Sequence, residues 1–374
     1  MNFLLMASFG EVLSYVGYIA LAILVLLVMI TVHELGHYIS GKILGFGIEE
    51  FAIGFGPKLF SKKKKDGEVF SVRLLPIGGF CAFKGEDADS DDPSAFNNRK
   101  PWQRIIVLIS GALMNYLLAL MIIIIMFGVY GQSALMTYKV EEPTASYTAE
   151  YSFCERDIII KANGKNVYLT TDLMDAIKDK NEGDLVDFTI RRAGKDVDVK
   201  IKLRTDTDFK NVEDNVTLLK ALGIRYATDD AGNLTAMGLA TTGLRMGFFR
   251  TIIMSVEYSF KLAVSIFVVL GQLITGALGI GSLGGTVTTI SVTATAVKVG
   301  GIRNLLNIAS FIGVNLAVFN LLPIPALDGC RVVFTAIEGI RKKPISRRVE
   351  GLIHTVGFVL ILMFAVFIDL QQCF

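Results

Sequence analysis

Charged residues are scarce in this chain of 374 residues: Asp, Glu, Lys and Arg make up 19% of it, whereas hydrophobic residues make up 52%. Soluble globular domains contain about 25% charged residues. The composition, together with a mean hydropathy of +0.53, argues against an ordinary soluble protein of this size and indicates a polytopic membrane protein. The formal net charge of +2 is uninformative as a total, and we expect no nucleic-acid partner.

Cysteine and histidine are also few. The cysteines include no CxxC pair, which favours free thiols over a disulfide framework or a cysteine-based metal site. These four residues are Cys81, Cys154, Cys330 and Cys373. The N-terminal segment lacks a basic region ahead of its apolar run, so we expect no cleavable signal peptide there.

Five segments contain no Asp, Glu, Lys or Arg and approach or exceed the ~20 residues that a helix needs to cross a bilayer. They are Val12–Val32, Ile105–Gly131, Leu262–Val297, Asn304–Leu327 and Gly351–Ile368. The third is the least convincing, because its second half, Gly276–Ala296, is rich in Gly, Ser and Thr and favours a packed loop or an interfacial segment. We therefore predict about four transmembrane helices.

Two basic clusters, Lys62–Lys65 and Arg341–Arg348, predict the topology. The positive-inside rule assigns both to the cytoplasm, which leaves both chain termini extracytoplasmic. Between the second span and the second cluster the chain has to cross an odd number of times, and Asn304–Leu327 supplies one crossing. We therefore expect Phe248–Thr275 to lie at the outer interface without spanning.

The polar segment 132–246 falls on the outer side in this topology. Asp184–Arg191 and Val197–Leu203 alternate apolar and polar residues as half-buried strands do, with a Gly194 turn between them. Thr171–Asp179 is typical of a short helix. The segment therefore predicts a small, strand-rich domain of roughly 70 residues.

The sequence His33-Glu34-Leu35-Gly36-His37 stands at the inner end of the first apolar run. On a helix, HExxH puts two imidazoles one turn apart on one face, which is the spacing of two zinc ligands, and the Glu can activate a metal-bound water. With only one other histidine in the chain, His354, this pattern points to selected chemistry. It predicts zinc-dependent hydrolysis within the membrane, with Glu34 as the base.

A catalytic zinc usually has three protein ligands and one open position. The best candidate for the third ligand is Asp328, because an ionisable residue at the end of a long apolar run is costly unless it has a partner. Pro323 and Pro325 break the helix just before it. The predicted topology brings Asp328 to the same membrane depth as His37. Asn320 is a weaker candidate for a hydrogen bond to the substrate backbone or an oxyanion.

Taken together, these motifs resemble the site-2 proteases, the zinc intramembrane metalloproteases of peptidase family M50, and most of all the bacterial sigma-factor-regulating type with a PDZ domain. HELGH corresponds to the family's HExxH, and residues 320–329 (NLLPIPALDG) match its NxxPxPxLDG element, whose Asp is the third zinc ligand. Residues 54–56 (GFG) and 75–80 (LPIGGF) resemble its membrane-reentrant β-hairpin. Residues 111–115 (GALMN) resemble its GPxxN element.

The resemblance implies a polytopic α-helical membrane protein of about four transmembrane helices, with a membrane-reentrant β-hairpin and an inserted extracytoplasmic α+β PDZ-like domain. Four divisions of the chain are expected. Residues 1–131 contain the HExxH helix, the hairpin at about 48–84 and the second transmembrane helix, and residues 132–246 are extracytoplasmic with one PDZ-like domain at about 140–204. Residues 247–300 are interfacial and non-spanning, and residues 301–374 contain the LDG motif and the last helix.

The resemblance further implies regulated intramembrane proteolysis in the bacterial cytoplasmic membrane. The expected partners are membrane lipid and single-span membrane proteins already trimmed by another protease, such as anti-sigma factors, and remnant signal peptides. The PDZ domain would act as a size filter, and the hairpin would offer a free edge to an extended substrate. The residues expected at the substrate are Asn320, Pro323, Pro325, Gly54, Gly56 and Asn115.

Three residues depart from the family pattern. Ala112 replaces a usual Pro, Cys330 replaces a second Gly after LDG, and Arg156 replaces a Gly of the PDZ loop. The first two leave the expected zinc ligands intact, whereas the third argues against peptide C-terminus binding of the common kind.

Two other functions fit parts of the pattern. A membrane metal transporter or sensor would use His33, His37 and Asp328 as a transit site, and a catalytically dead scaffold would bind clients through its PDZ-like domain. Glu34 favours hydrolysis, because transport requires no base between two ligands.

Overall fold

The computed structural model describes residues 9–86, 90–204, 215–229, 234–275, 286–343 and 345–371. The chain divides into two compact units, one formed by the residues up to Ile125 together with those from Ser255 onward, the other by Met126–Met254. In chain order the helices and longer strands are α1 Phe9–Ile43, β1 Ile48–Lys63, β2 Val69–Phe83, α2 Pro101–Tyr130, β3 Gln132–Thr137, β4 Ile158–Ala162, β5 Lys165–Asn166, α3 Thr170–Ile177, β6 Leu185–Arg192, β7 Lys195–Lys202, α4 Asn215–Ala221, β8 Tyr226–Thr228, β9 Leu234–Met237, β10 Leu239–Leu244, α5 Phe248–Thr275, α6 Thr286–Leu321, α7 Asp328–Arg341 and α8 Arg347–Gln371.

Among the described residues, five helices are long and apolar enough to cross a membrane, where we predicted about four. They are Ser14–Ile43 in α1, α2, Phe248–Leu273 in α5, Thr288–Leu321 in α6 and Arg348–Leu370 in α8. The prediction of a polytopic helical membrane protein is confirmed. In lipid a helix satisfies all its own backbone hydrogen bonds, so long apolar runs fold this way.

The additional helix is α5, which we predicted as an interfacial element. Its Ser259 hydroxyl lies 2.8 Å from the hydroxyl of Tyr116, and both residues are near the middle of their helices. α5 therefore contacts α2 near the middle of both helices. Whether α5 crosses the membrane stays a prediction.

For Gly276–Ala296 we predicted a packed loop or an interfacial segment; the loop alternative is wrong for its second part, and the interfacial alternative stays a prediction. Residues 276–285 lie outside the described residues, but Thr286 begins helix α6, which contains the remainder. Gly301 interrupts this helix with φ 58° and ψ −145°. The Thr- and Val-rich sequence has low intrinsic helix propensity. Thr293 and Ala294 are buried in the structure, so packing outweighs that preference.

The helices α1, α2 and α6 pack tightly around one another. Met29 of α1 is buried in a cluster with Ala309 and Ile312 of α6. A side chain at Gly313 would contact Met29 and also Ala119 of α2, so this glycine permits the close approach of the three helices. Since positions 309–312 lie beside Met29, α6 continues about two to three turns further to bring Asn320 level with the HExxH motif.

Strands β1 and β2 form one long antiparallel hairpin with several register shifts. Phe51 pairs both with Phe70 and with Cys81, so the first half of β1 is flanked on both sides by β2. The strands bend where Gly54, Gly56 and Gly78 adopt φ of 86°, 86° and 103°. These φ values favour glycine because a Cβ would clash with the backbone.

The closed end of the hairpin is held to the end of α1 by Glu68, which is only 1% exposed. Lys64 Nζ lies 2.8 Å from its carboxylate and 2.8 Å from the hydroxyl of Tyr38, and Lys42 of α1 forms a second ion pair. Burial acts to raise the pKa of Glu68, but the hydrogen bonds from Lys42, Lys64 and Tyr38 outweigh it and hold the pKa below 4.5.

Because the folded-state pKa of Glu68 is lowered, its stabilising effect is present above about pH 4.5 and is lost as the pH falls through the folded-state value. Glu68→Gln should remove about 1–3 kcal/mol of local stability at neutral pH. Hydrogen exchange of residues 60–72, normalised for intrinsic rates, should show faster exchange in this variant at pH 7 and in the wild type only below about pH 4.5. Equal protection at pH 7, or wild-type loss between pH 5 and 7, would contradict this.

The second unit, Met126–Met254, contains a mixed-order antiparallel sheet in the strand order β10-β3-β4-β6-β7, with β5 paired to β4. Its core includes Ile159, Leu173, Phe188 and Leu218. The predicted strands appear as β6 and β7, and the predicted helix appears as α3. The turn between β6 and β7 has φ of 49° at Ala193 and 82° at Gly194, as two-residue hairpins require.

Candidate metal centre

His33 and His37 lie one turn apart on α1 and point to the same side. Both are buried, at 8% and 7% exposure. Their Nε2 atoms are 3.1 Å apart, and the two rings stand edge to face at a centroid distance of 4.8 Å. The helix therefore converges two nitrogen donors on one point inside the bundle.

Asp328, the first residue of α7, brings a carboxylate to the same point. Its Oδ2 lies 3.0 Å from His33 Nε2 and 3.3 Å from His37 Nε2. Ligand atoms of these three residues all lie within 4.8 Å of one another. Two imidazoles and one carboxylate form a donor set typical of catalytic zinc sites with an open position. The structure thus brings together the three predicted ligands across 295 residues of chain.

The outer ring nitrogens also have partners, which leaves Nε2 of each ring for a metal. His37 Nδ1 lies 2.8 Å from the carbonyl oxygen of Val107, to which it donates as N–H. His33 Nδ1 lies 3.5 Å from the side-chain amide of Asn115 and 3.4 Å from that of Asn320. Such contacts orient metal-binding imidazoles.

Asn115 gives a separate test of whether the site fits a metal. Its Oδ1 is buried and has no hydrogen-bond partner among the described residues. Rotating the amide by 180°, an assignment that the network decides, would let Oδ1 accept a hydrogen bond from Nδ1–H of His33. In that tautomer the Nε2 lone pair of His33 is free to coordinate. The surroundings therefore fit a metal held by His33, His37 and Asp328.

Gly111 of α2 closes this site from one side. A Cβ at this position would fall against the rings of both His37 and His33, at 2.8 Å from Cε1 of His33. Gly36 meets the backbone of Ser110 in the same way. Glycine at these two positions lets α1 and α2 approach closely enough to hold the imidazoles.

Gly111→Ala should therefore displace the histidine rings and lower zinc content and activity at least about 10-fold, as loss of ligand support does. Gly128→Ala is the matched control, because the same helix offers open space around that position. The control should leave both quantities unchanged and, if anything, stabilise the helix by up to ~1 kcal/mol. Zinc analysis of the purified protein measures the zinc content, and a cleavage assay measures the activity. Wild-type zinc binding in Gly111→Ala would contradict the arrangement described here.

A cavity of about 250 Å³ adjoins the three donors. Its lining consists of Ile30, His33, Glu34, Asn115, Leu316, Asn320, Ala326, Leu327 and Asp328. Glu34, Asn115 and Asn320 are thus where the sequence predicts them, at the edge of the space beside the donors. Strand β2 passes beside Glu34, since a Cβ at Gly79 would lie 3.6 Å from Cγ of Glu34.

Four of the residues expected at the substrate do not line this cavity. Gly54 and Gly56 lie at the bends of β1, and Pro323 and Pro325 belong to the loop between α6 and α7. Sequence reasoning missed Ile30, Leu316, Ala326 and Leu327 as cavity-lining residues. Ile30 and Leu316 occur one turn before His33 and Asn320, a helical spacing that would have identified them.

Helix α7, which begins with Asp328, is fixed by ion pairs to two other elements. Arg331 pairs with Glu86, which follows β2 and also accepts the backbone N–H of Phe83. Glu338 lies 2.6 Å from the buried Arg104 of α2. These contacts define the position from which Asp328 reaches the histidines.

The sequence profile of peptidase family M50 matches residues 21–364. A provisionally named zinc metalloprotease of Clostridium perfringens is 34% identical over 359 residues, which cover 95% of this chain and 98% of that protein. The zinc metalloprotease RasP of Bacillus licheniformis is 29% identical, with 94% and 98% covered. The regulator of sigma-W protease RasP of Bacillus subtilis is 28% identical, with 91% and 95% covered. The chain therefore belongs to peptidase family M50 and is a multi-pass membrane zinc metalloprotease.

Proposed function

We propose that this protein is an intramembrane endopeptidase that cleaves the transmembrane segments of single-span membrane proteins. The observation that carries the proposal is the position of the donor group. His33 and His37 lie within a helix that is long and apolar enough to span a membrane, and Asp328 meets them beside a cavity that also contains Glu34. Water and a peptide bond can therefore react in a site shielded from lipid.

In this proposal His33, His37 and Asp328 hold the zinc, and Glu34 is the base. When bound, zinc polarises the attacking water and the scissile carbonyl. Glu34 accepts the proton of the water and transfers it to the leaving amine. Asn320, 3.4 Å from His33 Nδ1, is positioned to hydrogen-bond the substrate backbone once it is extended.

The β1–β2 hairpin is proposed to re-enter the membrane and to present a strand edge to the substrate. Phe55, Leu59, Leu74 and Leu75 are 46–65% exposed on it, as apolar residues facing lipid would be. The closeness of Gly79 to Glu34, whose Cγ would lie 3.6 Å from a Cβ at Gly79, supports placing β2 next to the reacting groups. A substrate strand added here would exchange its helical hydrogen bonds for strand pairing.

The second unit is proposed to be a PDZ-like domain on the extracytoplasmic side of the bacterial cytoplasmic membrane, where it filters substrates by size. Its antiparallel sheet with α3 and α4 supports a domain of this α+β class. Both chain termini are proposed to be extracytoplasmic, which the basic residues of Lys62–Lys65 and Arg341–Arg348 support through the positive-inside rule. The name of the Bacillus subtilis relative, regulator of sigma-W protease, supports anti-sigma-factor-like substrates.

The test is cleavage of a tagged single-span protein, co-reconstituted with the purified protease in liposomes, with zinc measured in the same preparation. Cleavage within the transmembrane segment that stops on zinc removal and returns on zinc addition supports the proposal. A soluble peptide of the same sequence is the control for cleavage outside the bilayer. Zinc retention without cleavage of a panel of single-span substrates would favour metal transport or scaffolding instead.

A further inference from the structure

We infer that His354 is a positioning residue for the metal site, acting from the last helix through the backbone of the loop that carries Asp328. The inference rests on the proposed zinc ligands. His354 does not line the cavity beside the donors. Its influence would pass through Ala326, which does line that cavity and lies two residues before Asp328.

The loop between α6 and α7 consists of residues 322–327, and each of its backbone N–H groups has an acceptor. Pro323 and Pro325 have no N–H. Three of the other four amides bond within the loop or to the end of α6: Leu322 to Phe319, Ile324 to Leu322 and Leu327 to Ile324. The fourth, the N–H of Ala326, donates to Nδ1 of His354 at 3.0 Å. Of the four loop amides, that of Ala326 therefore bonds to a distant part of the chain, and its acceptor is His354.

The residue that His354 holds has an uncommon backbone conformation. Ala326 has φ 76°, in the left-handed region that costs free energy for residues with a Cβ. Such a conformation persists where the surroundings fix it. The hydrogen bond to His354 is one such constraint, and the direction of the chain at Ala326 decides where Asp328 enters α7.

A second contact of α8 fixes the same loop. A Cβ at Gly357 would fall against Pro325, with the carbonyl carbon and Cα of that residue at 3.1 and 3.2 Å. Gly357 follows His354 by three residues and therefore shares its face of the helix. The ring of Phe334 in α7 stands perpendicular to the imidazole at 5.8 Å. One face of α8 thus contacts two adjacent residues of the loop, Pro325 and Ala326.

The test separates the acceptor atom from the shape of the ring. His354→Phe keeps an aromatic ring beside Phe334 and removes the acceptor, whereas His354→Asn keeps an oxygen near the position of Nδ1 and removes the ring. Thr355→Val, on the exposed side of the same helix, is the control. The readout is zinc affinity of the purified full chain, measured by competition with a chelator of known affinity.

We expect the Phe variant to bind zinc about 10–100 times more weakly than the wild type and the Asn variant to stay within about threefold. Cleavage by the Phe variant should show a lower kcat with an unchanged KM. Wild-type zinc affinity in the Phe variant overturns the inference, as does a loss in the Asn variant equal to that in the Phe variant. Since affinity is measured without a substrate, a wild type that binds zinc but cleaves nothing would overturn the proposed function alone.

Gly357→Ala keeps the test decisive if the Phe variant does not accumulate. Alanine has the higher helix propensity, so a position without a role at the loop would gain stability and keep its zinc affinity. The inference predicts the opposite, a fall in zinc affinity of about 10-fold or more as Pro325 is displaced. Unchanged affinity in Gly357→Ala would overturn it.

Discussion

Glu34→Gln is expected to lower kcat about 10²–10⁴-fold while zinc content stays at the wild-type level. The substitution keeps the shape of the side chain, but the amide cannot take a proton from water. Glu34 is not one of the three converging donors, so the metal should remain. The measurement is initial cleavage rate of a single-span substrate in liposomes, paired with elemental analysis of zinc.

A matched control is Glu49→Gln, which removes an exposed carboxylate in β1 just beyond the end of α1. It should leave both rate and zinc content unchanged. Loss of zinc in Glu34→Gln would show that Glu34 supports the metal rather than the proton transfer. An active Glu34→Gln enzyme would remove the general base from the proposal.

The residues of the metal centre could be predicted from the sequence for two reasons. The two histidines are close together in the chain, and burying the ionisable Asp328 costs free energy. His33 and His37 are one turn apart, which any helix places on one face. Asp328 is an ionisable residue at the end of a long apolar run, and the cost of burying it requires a partner of complementary chemistry. The histidine pair requires a third ligand, and Asp328 requires a partner. Because the chain has only three histidines, few pairings satisfy both requirements.

The packing around the centre could not be predicted in the same way. The closeness of Gly111 to both imidazoles depends on how α2 crosses α1, and the hydrogen bond from Ala326 to His354 joins residues of a loop and a distant helix. No periodicity in the sequence reports such contacts. In the sequence, His354 was notable only because histidine is rare in this chain. An isolated histidine in an apolar segment is most often structural.

The interfacial placement of α5 stays a prediction, for a different physical reason. A lipid-facing helix and an interfacial one have similar compositions, and α5 carries both an exposed apolar row, including Phe249, Ile253 and Phe260, and the charged pair Glu257 and Lys261. The structure adds a contact of Ser259 with Tyr116 halfway along α2. That contact is a tertiary property, invisible in a count of apolar residues.

Asp328→Asn is expected to reduce bound zinc to a small fraction of the wild-type level and to abolish measurable cleavage, a fall of at least about 10³-fold. Asn has nearly the same shape and still accepts hydrogen bonds at the start of α7, so a residue that merely capped the helix or its loop would tolerate the change. A zinc ligand would not, because the neutral amide is a much weaker donor than the carboxylate.

Elemental analysis, together with the rise of the unfolding temperature on adding zinc, measures the loss. The wild type should be stabilised by zinc, since ligands that bind only the folded state stabilise it, and the variant should not. An Asp328→Asn protein with full zinc content would assign the carboxylate to the helix terminus and leave the two histidines in need of another third ligand.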